Sequence, residues 1–135
     1  MTGLTRDAGW EIGVSKTLPY PVERVWTFLL SDNGIELWLG AGAKLGTKPG
    51  SRYTTEDGTT GEVRSFHDDD RVRLTWRSAN ATHDTIVQVT VTDPGDGRCV
   101  LGFHQERMAD TAERSRQRLH WQAAMSRVVE ALADR

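Results

Sequence analysis

The chain has 135 residues, the size of one domain, with 17 lysines and arginines against 19 aspartates and glutamates and a formal net charge of −2. These charges are mixed along the chain, so there is no basic stripe to hold phosphates, and we exclude nucleic acid as a partner. Because Cys99 is the single cysteine, and the sequence contains neither an apolar signal core nor a membrane-spanning run, we expect one cytoplasmic domain over residues 1–135 without an intramolecular disulfide or membrane insertion.

The first third of the chain predicts a strand followed by two short helices. Apolar and polar residues alternate from Trp10 to Val14, which is the period of a half-buried strand. Pro21 suits the first turn of a helix, and the apolar residues behind it have helical spacing: Val22, Val25, Trp26 and Leu29. The segment 35–40 predicts a second, short helical turn that ends at Gly40. Trp26 is therefore predicted to lie in the core.

A period of two takes over from residue 51 to residue 106 and predicts several strands. Asp57-Gly58 is a hairpin signal between two strand segments, and the segment 93–97 separates a second pair of strands. Within the segment 71–77, three residues share the apolar face and are predicted to be core: Val72, Leu74 and Trp76. Because tight turns join these strands, the sheet is predicted to be antiparallel, and its apolar face needs a cover.

The segment 118–132 predicts a long final helix, which we place from about Ala112 to Ala133. The apolar stripe predicted to face the sheet consists of Trp121, Met125, Val128 and Leu132. Residues spaced by seven are predicted to form an opposite polar face: Glu113, His120, Arg127 and Asp134. Two interpretations of the apolar stripe stay open. In the first, the stripe fills an ordinary core. In the second, the end of the stripe at Trp121 covers a cavity, to which the flexible thioether of Met125 can adapt.

The sequence predicts no catalytic residue, metal ligand or cofactor. The glycine-rich segment 40–46 lacks the spacing of a phosphate-binding loop. His67 beside three aspartates is predicted to lie in a solvated turn, since a metal needs ligands that converge from several elements. His104 and Glu106 are predicted to face solvent. The candidates for an inward polar group are Gln105, Ser65, Tyr53 and Arg52, and none of them is an evident general base.

Three parts of the chain resemble the SRPBCC, or START-like, superfamily, and most of all its subfamily named after the C-terminal domain of the activator of the heat-shock-protein-90 ATPase. In the segment 20–40 the matching residues are Pro21, Val22, Val25, Trp26, Trp38 and Leu39. The strand region continues the pattern in the same order with Gly50, Gly58, Gly61, Val63, Arg71, Leu74 and Trp76. The last helix adds Trp121, Met125 and Leu132. The resemblance covers nearly the whole chain from about Trp10 onward.

The resemblance implies an α+β helix-grip fold, in which a curved antiparallel sheet wraps a long C-terminal helix and two short helices follow the first strand. It also implies that the space between sheet and helix can hold an apolar or amphipathic ligand. The alternation of residues along each strand and helix shows which side chains point inward. From it we expect such a ligand between the Trp121–Met125 end of the last helix and the inner face of the sheet, with Trp38 near the mouth of the cavity. The residues predicted to line it are Trp38, Tyr53, Trp76, Leu101, Phe103, Gln105, Trp121 and Met125.

Members of this superfamily include lipid carriers, hormone receptors, polyketide cyclases and co-chaperone domains, so the fold alone does not decide the function. Binding of a small molecule ranks first among the hypotheses. A co-chaperone-like interaction through the arginine-bearing outer face of the sheet ranks second, and a cyclase- or hydratase-type enzyme ranks third. Eukaryotic activators carry a separate N-terminal domain that makes much of the chaperone contact, whereas this chain begins almost directly at its first predicted strand.

Overall fold

The computed structural model describes residues 4–5 and 9–134, which form a seven-stranded antiparallel sheet and three helices. In chain order the elements are β1 (Leu4–Thr5), β2 (Gly9–Leu18), α1 (Val22–Leu30), α2 (Asp32–Trp38), β3 (Arg52–Thr54), β4 (Thr60–His67), β5 (Arg71–Trp76), β6 (Thr85–Thr92), β7 (Cys99–Met108) and α3 (Thr111–Ala133). The strand order across the sheet is β1-β2-β7-β6-β5-β4-β3. The predicted helix-grip fold is confirmed, with α3 packed against the sheet.

The two short helices share a single residue at their junction. Pro21 has extended backbone geometry and directly precedes α1, which buries the predicted apolar side. Ser31 then ends α1, and its side-chain oxygen accepts a hydrogen bond from the Gly34 N–H at 3.1 Å in the first turn of α2. This cap explains why the second helix begins at Asp32, a few residues earlier than the apolar pattern predicts.

Helix α3 begins one residue before its predicted start and ends at the predicted residue. Its apolar stripe is buried as predicted, whereas the predicted polar face is wrong at Glu113 and His120. Both residues lie on the stripe that faces the sheet, because 113, 117, 120, 124 and 128 follow one another at helical spacings of three and four. In the first half of α3 this inner stripe is polar, and Leu119 is 68% exposed on the other side.

Most residues that were predicted to point inward are buried in the core. Trp26 and Trp76 are buried as expected, and Gln105 faces inward. The Trp26 indole N–H donates to Asp68 at 2.8 Å, so the aspartate turn also anchors α1, which the sequence analysis did not foresee. Arg52 is exposed, because β3 turns the neighbouring Tyr53 inward instead. No helix among the described residues combines the length and the apolar character needed to cross a membrane.

The sheet is tightly constrained where β4 meets β5. The register between these strands shifts between Val63 and Ser65, which is the signature of a bulge that bends a sheet. A Cβ atom at Gly61 would lie 2.0 Å from the carbonyl oxygen of Thr75 and 2.7 Å from the ring of Tyr53. Only glycine therefore permits this close approach of the two strands.

Candidate functional site

The residues predicted to line a cavity are all buried, and the four aromatic rings at their centre pack against one another. The Trp121 ring centroid lies 4.9 Å from that of Phe103 and 5.4 Å from that of Trp76, and Trp38 stacks on Phe103 at 6.5 Å. Trp38 is fully buried rather than near an opening, because its indole N–H is held by the Leu29 carbonyl at 2.9 Å. The centre of the predicted site is therefore a cluster of rings in mutual contact.

The other predicted residues surround this cluster. Leu101 and Met125 belong to the same buried core. The hydroxyl of Tyr53 donates to the Thr75 carbonyl at 2.6 Å, and burial raises the pKa of this phenol well above its usual value. Tyr53 is therefore a neutral hydrogen-bond donor that holds β3 against β5. Whether any of the eight residues contacts a ligand stays a prediction.

Gln105 is the polar centre of the core. Its side-chain oxygen accepts from the indole N–H of Trp121 and from the amide of Gln117, both at 2.8 Å. Its own amide donates to the Thr85 hydroxyl at 2.8 Å, which in turn donates to the Trp76 carbonyl at 2.7 Å. Because no buried side-chain N or O atom of this network lacks a partner, the network fixes the orientation of Trp121 and Gln117 at low energetic cost.

An open cleft with a volume of about 560 Å³ lies next to the aromatic cluster. It is bounded by the 55–59 loop, the 78–84 turn between β5 and β6, and the first half of α3. Among the eight predicted site residues, Trp76 alone belongs to the described lining of this cleft. Its other lining residues include Asp57, Ser78, His83, Glu113, Arg116, Gln117 and His120. The cleft is thus adjacent to the predicted site and considerably more polar.

His83 and Glu113 form a hydrogen-bonded pair at the edge of the cleft. The His83 Nε2 lies 3.0 Å from the Glu113 Oε1, which also accepts the Ala109 N–H at 2.7 Å. The carboxylate side chain is 10% exposed and the imidazole is 34% exposed. Asp110 caps α3 by accepting the Glu113 N–H at 2.8 Å. The result is a carboxylate fixed in place beside a histidine that solvent can reach.

Sequence reasoning named neither His83 nor Glu113 as a site residue. A local signal does exist for Glu113, because an aspartate followed three residues later by a glutamate marks the start of a helix. Its pairing with His83, 30 residues away, depends on the tertiary fold and has no comparable local signal.

His120 lies deeper in the cleft than His83. Its Nε2 is 3.0 Å from the Trp38 carbonyl oxygen, and its ring meets the rings of Trp76 and Trp121 edge-on or nearly so, at 5.2 and 4.6 Å. Burial lowers the pKa of His120, although the bond to Trp38 and the charge of Asp57 act in the opposite direction. His120 is therefore neutral at pH 7.

This neutral histidine predicts how stability depends on pH. The unfolded chain binds a proton at the ordinary histidine pKa of about 6.5, whereas folded His120 resists protonation, so stability falls as the pH drops below that value. We expect His120→Gln, which can still donate to the Trp38 carbonyl, to lose less unfolding free energy than the wild type between about pH 7.5 and about pH 5.5. Urea unfolding at both pH values measures this difference.

His104→Gln is the matched control, because His104 is 40% exposed on the outer face of the sheet. This variant is expected to lose as much stability on acidification as the wild type. Equal losses for wild type and His120→Gln would show that His120 titrates normally in the folded protein.

Asp57 supplies a permanent negative charge on the hairpin side of the cleft. Its carboxylate accepts hydrogen bonds from the Thr55 hydroxyl and from the Thr59 N–H, the latter at 3.1 Å. These bonds, the Thr55 bond above all, hold the pKa of Asp57 below its usual value. With Asp110 and Glu113, Asp57 gives the cleft three carboxylates, beside two imidazoles, an indole and the Arg116 guanidinium.

The outer face of the sheet carries His104, which was predicted to face solvent together with Glu106. His104, Glu11 and Glu106 lie with their ligand atoms within 4.8 Å of one another, and His104 Nε2 is 3.8 Å from Glu11 Oε1. Arg73 donates to Glu106 at 2.8 Å and neutralises its charge. The predicted solvent-facing pair is thus half-exposed, and Glu106 is engaged in an ion pair within the sheet.

The family model described as Activator of Hsp90 ATPase homolog 1-like protein matches residues 19–133. The chain belongs to this family. The resemblance to the activator subfamily of the SRPBCC superfamily is thereby confirmed over nearly the whole chain. A comparison with curated protein sequences found no match.

Solved structures share the fold of this activator-like chain. Protein MLL2253 from Mesorhizobium loti has a TM-score of 0.77 at 20% identity, over 92% of this chain and 96% of that one. An HSP90 activator from Plasmodium falciparum has a TM-score of 0.74 at 15% identity, over 93% and 97%. DynU16, from the dynemicin biosynthetic locus, has a TM-score of 0.77 at 19% identity over 91% of this chain, which spans only 47% of DynU16. At these identities the likeness shows the fold alone.

Proposed function

We propose that this activator-like protein binds a small amphipathic molecule in the cleft between the 78–84 turn and the first half of α3. The observation that carries the proposal is the convergence of polar side chains on an open cleft with an indole wall. His83, Glu113 and His120 approach from two separate elements, and Trp76 supplies apolar surface between them. A few polar groups set in an apolar wall are typical of small-molecule sites.

The size and lining of the cleft indicate the kind of ligand. A volume of about 560 Å³ lies within the range of natural ligand sites and suits a molecule of one or two rings. The aromatic face of such a molecule can stack on Trp76, while its polar groups meet the side of the cleft formed by α3. A purely apolar ligand would leave the histidines and carboxylates of the cleft without solvent or partners, which is costly. The proposal is therefore an amphipathic ligand.

Interaction with a chaperone is the alternative function, suggested by the name of the family and by the HSP90 activator from Plasmodium falciparum. It would use the outer sheet face, which displays Arg64, Arg73 and Arg77. Each of these arginines already pairs with a carboxylate of the same chain at 2.8 to 2.9 Å. An acidic partner would have to replace these pairs, so we favour the cleft.

We also propose that residues 1–135 act as one domain in the cytoplasm. Strand β2, near the start of the chain, pairs with β7, the last strand of the chain, which supports a single unit. Burial raises the pKa of the Cys99 thiol, so this cysteine stays protonated and unsuited to disulfide exchange. A lone, buried thiol is compatible with a reducing compartment.

A native mass spectrum of freshly purified protein tests ligand binding against chaperone binding. The proposal predicts an added mass of a small organic molecule that disappears on denaturation. A co-purifying chaperone without such a mass would favour the alternative.

Blocking the cleft provides a second test, with anilinonaphthalene sulfonate as an amphipathic aromatic probe. Ala81 is half-buried in the cleft lining, and Ala81→Phe is expected to weaken probe binding about tenfold or more, or about 1.4 kcal/mol, by filling the space. Fluorescence titration measures the affinity. Ala133→Phe is the control, because it adds the same ring at the exposed end of α3. This variant should leave the affinity for the probe unchanged. Equal affinities of both variants would place the probe outside the cleft.

A further inference from the structure

The contacts of His83 determine which of its nitrogens can accept a proton. Its Nε2 faces the carboxylate of Glu113 at 3.0 Å, and a carboxylate only accepts hydrogen bonds, so Nε2 carries the hydrogen of the neutral ring. The lone pair is then on Nδ1. The part of the chain that the structure describes offers Nδ1 no hydrogen-bond partner, and His83 lines the cleft. This is the arrangement of a carboxylate-oriented general base.

The same reasoning applies to His120 and Gln117. The Trp38 carbonyl can only accept, so the Nε2 of His120 carries the hydrogen and its Nδ1 is an acceptor. Gln117 donates its amide to Gln105, which leaves its own carbonyl oxygen as an acceptor. Three groups on the α3 side of the cleft and the adjoining turn therefore offer acceptors, namely the Nδ1 of His83, the Nδ1 of His120 and the carbonyl oxygen of Gln117. A ligand that complements them must donate hydrogen bonds, as a hydroxyl group does.

We propose that the cleft binds a hydroxyl-bearing aromatic molecule and that His83, held by Glu113, accepts the proton of its hydroxyl group. This inference rests on the proposed function and specifies its chemistry. In the step, the ligand O–H bond breaks, its electron pair stays on the oxygen, and the proton binds the Nδ1 of His83. Glu113 stabilises the resulting imidazolium through the existing Nε2–H bond. The products are an oxyanion and an imidazolium, so the total charge is unchanged.

His120 is less suited to take the proton than His83. Its Nε2 bonds to a neutral carbonyl, and its ring lies between two indoles in a buried setting. The charge of Asp57 acts on His120, but no carboxylate of the described residues hydrogen-bonds to its ring, whereas His83 has Glu113 at 3.0 Å. The geometry therefore assigns His83 as the proton acceptor and His120 as a neutral hydrogen-bond acceptor for the ligand.

Charged groups of three segments share the cleft with His83 or lie beside it in the chain. Its own turn contributes Asp84, which pairs with Arg77 at 2.9 Å. The hairpin loop contributes Asp57, and α3 contributes Asp110, Glu113 and the exposed Arg116. The Glu113 carboxylate is the anion in contact with His83, and Arg116 is the cation available to the ligand oxyanion. Both products of the proton transfer thus have a charge of opposite sign nearby.

Two probes that differ only at oxygen test this proposal. 4-Nitrophenol has a hydroxyl proton, and its phenolate is measured directly by its visible absorption, whereas 4-nitroanisole has a methyl group instead of the proton. We expect the intact protein to bind 4-nitrophenol more tightly than 4-nitroanisole. At a pH where the free probe is mostly neutral, the ratio of phenolate to phenol should rise about tenfold on binding, equivalent to one pKa unit.

Three variants identify the proton acceptor. His83→Gln and Glu113→Gln should both return the phenolate ratio to that of the free probe, while binding of 4-nitroanisole persists. His104→Gln, on the outer sheet face, should behave as the wild type. Thermal unfolding verifies that each variant folds, and if Glu113→Gln does not, His83→Gln on its surface turn decides the matter.

The outcomes separate the two proposals. Binding of 4-nitroanisole with no excess phenolate from 4-nitrophenol, or an excess that His83→Gln leaves intact, would overturn the proton transfer and leave ligand binding standing. If neither probe binds, and neither anilinonaphthalene sulfonate nor a co-purifying molecule is found, both proposals are wrong.

Discussion

Replacing Trp121 with alanine is expected to lower the free energy of unfolding by about 3–5 kcal/mol. The side chain is fully buried, its ring stacks on Phe103, and its N–H bonds to Gln105. The substitution leaves a large void between helix and sheet and removes one of the two donors to the Gln105 oxygen. Urea unfolding of the purified variant measures the loss.

Leu119→Ala is the matched control for this experiment. Leu119 lies two residues away on the same helix and is 68% exposed, so its truncation should change stability by no more than about 0.5 kcal/mol. Trp121→Phe separates the contribution of ring packing to stability from that of the hydrogen bond, because the variant keeps much of the packing and loses the N–H donor. A loss below about 1 kcal/mol for Trp121→Ala would mean that the aromatic cluster is not a packed core.

The second large effect is expected from Gly61→Ala, which should destabilise the protein by about 3 kcal/mol or more. The added methyl group would collide with backbone, since the Thr75 carbonyl oxygen lies 2.0 Å from its position. Backbone cannot rotate away as a side chain does, so β4 and β5 must separate and the Tyr53–Thr75 bond is strained with them. Circular dichroism followed during thermal unfolding measures the change.

Gly13→Ala supplies the comparison within the same sheet. A Cβ atom at Gly13 would have only an ordinary contact, 3.8 Å from the His104 ring, so this variant should retain wild-type stability or gain slightly. If both alanine variants unfold at the same temperature, the close approach of β4 and β5 does not constrain the sheet.

Most elements of the fold were predictable because their signals are local, whereas the helix-grip assembly was implied by the family resemblance. The change from period two to helical spacing identifies the elements from β2 onward but not the two-residue strand β1, and the turn residues around Asp57-Gly58 and 93–97 identify the antiparallel connections. Each of these patterns is contained in a short window. The start of α2 was missed by a few residues, since it depends on the cap formed by Ser31 rather than on apolar spacing.

The candidate site was harder to predict because its contacts join distant parts of the chain. His120 was assigned to solvent from its polarity, yet it bonds to Trp38, 82 residues away. In the sequence, polar residues on an inward-facing stripe of a helix cannot be told from those on an exposed face, because their hydrogen-bond partners lie far away in the chain. The alternation of apolar residues shows which way Trp121 and Phe103 point, but it shows neither that their rings meet at 4.9 Å nor that a cleft lies beside them.

The adjacency of β2 and β7 has a consequence for how the protein is made. The strand that begins near residue 9 pairs along almost its whole length with the strand that ends at residue 108. A ribosome must therefore synthesise most of the chain before β2 finds its neighbour, and α3, which covers the sheet, emerges later still. Until then the apolar side of β2 and the edge of the sheet are open to other molecules. Folding dominated by such distant pairings is slow, so we expect nascent chains to depend on protection during translation.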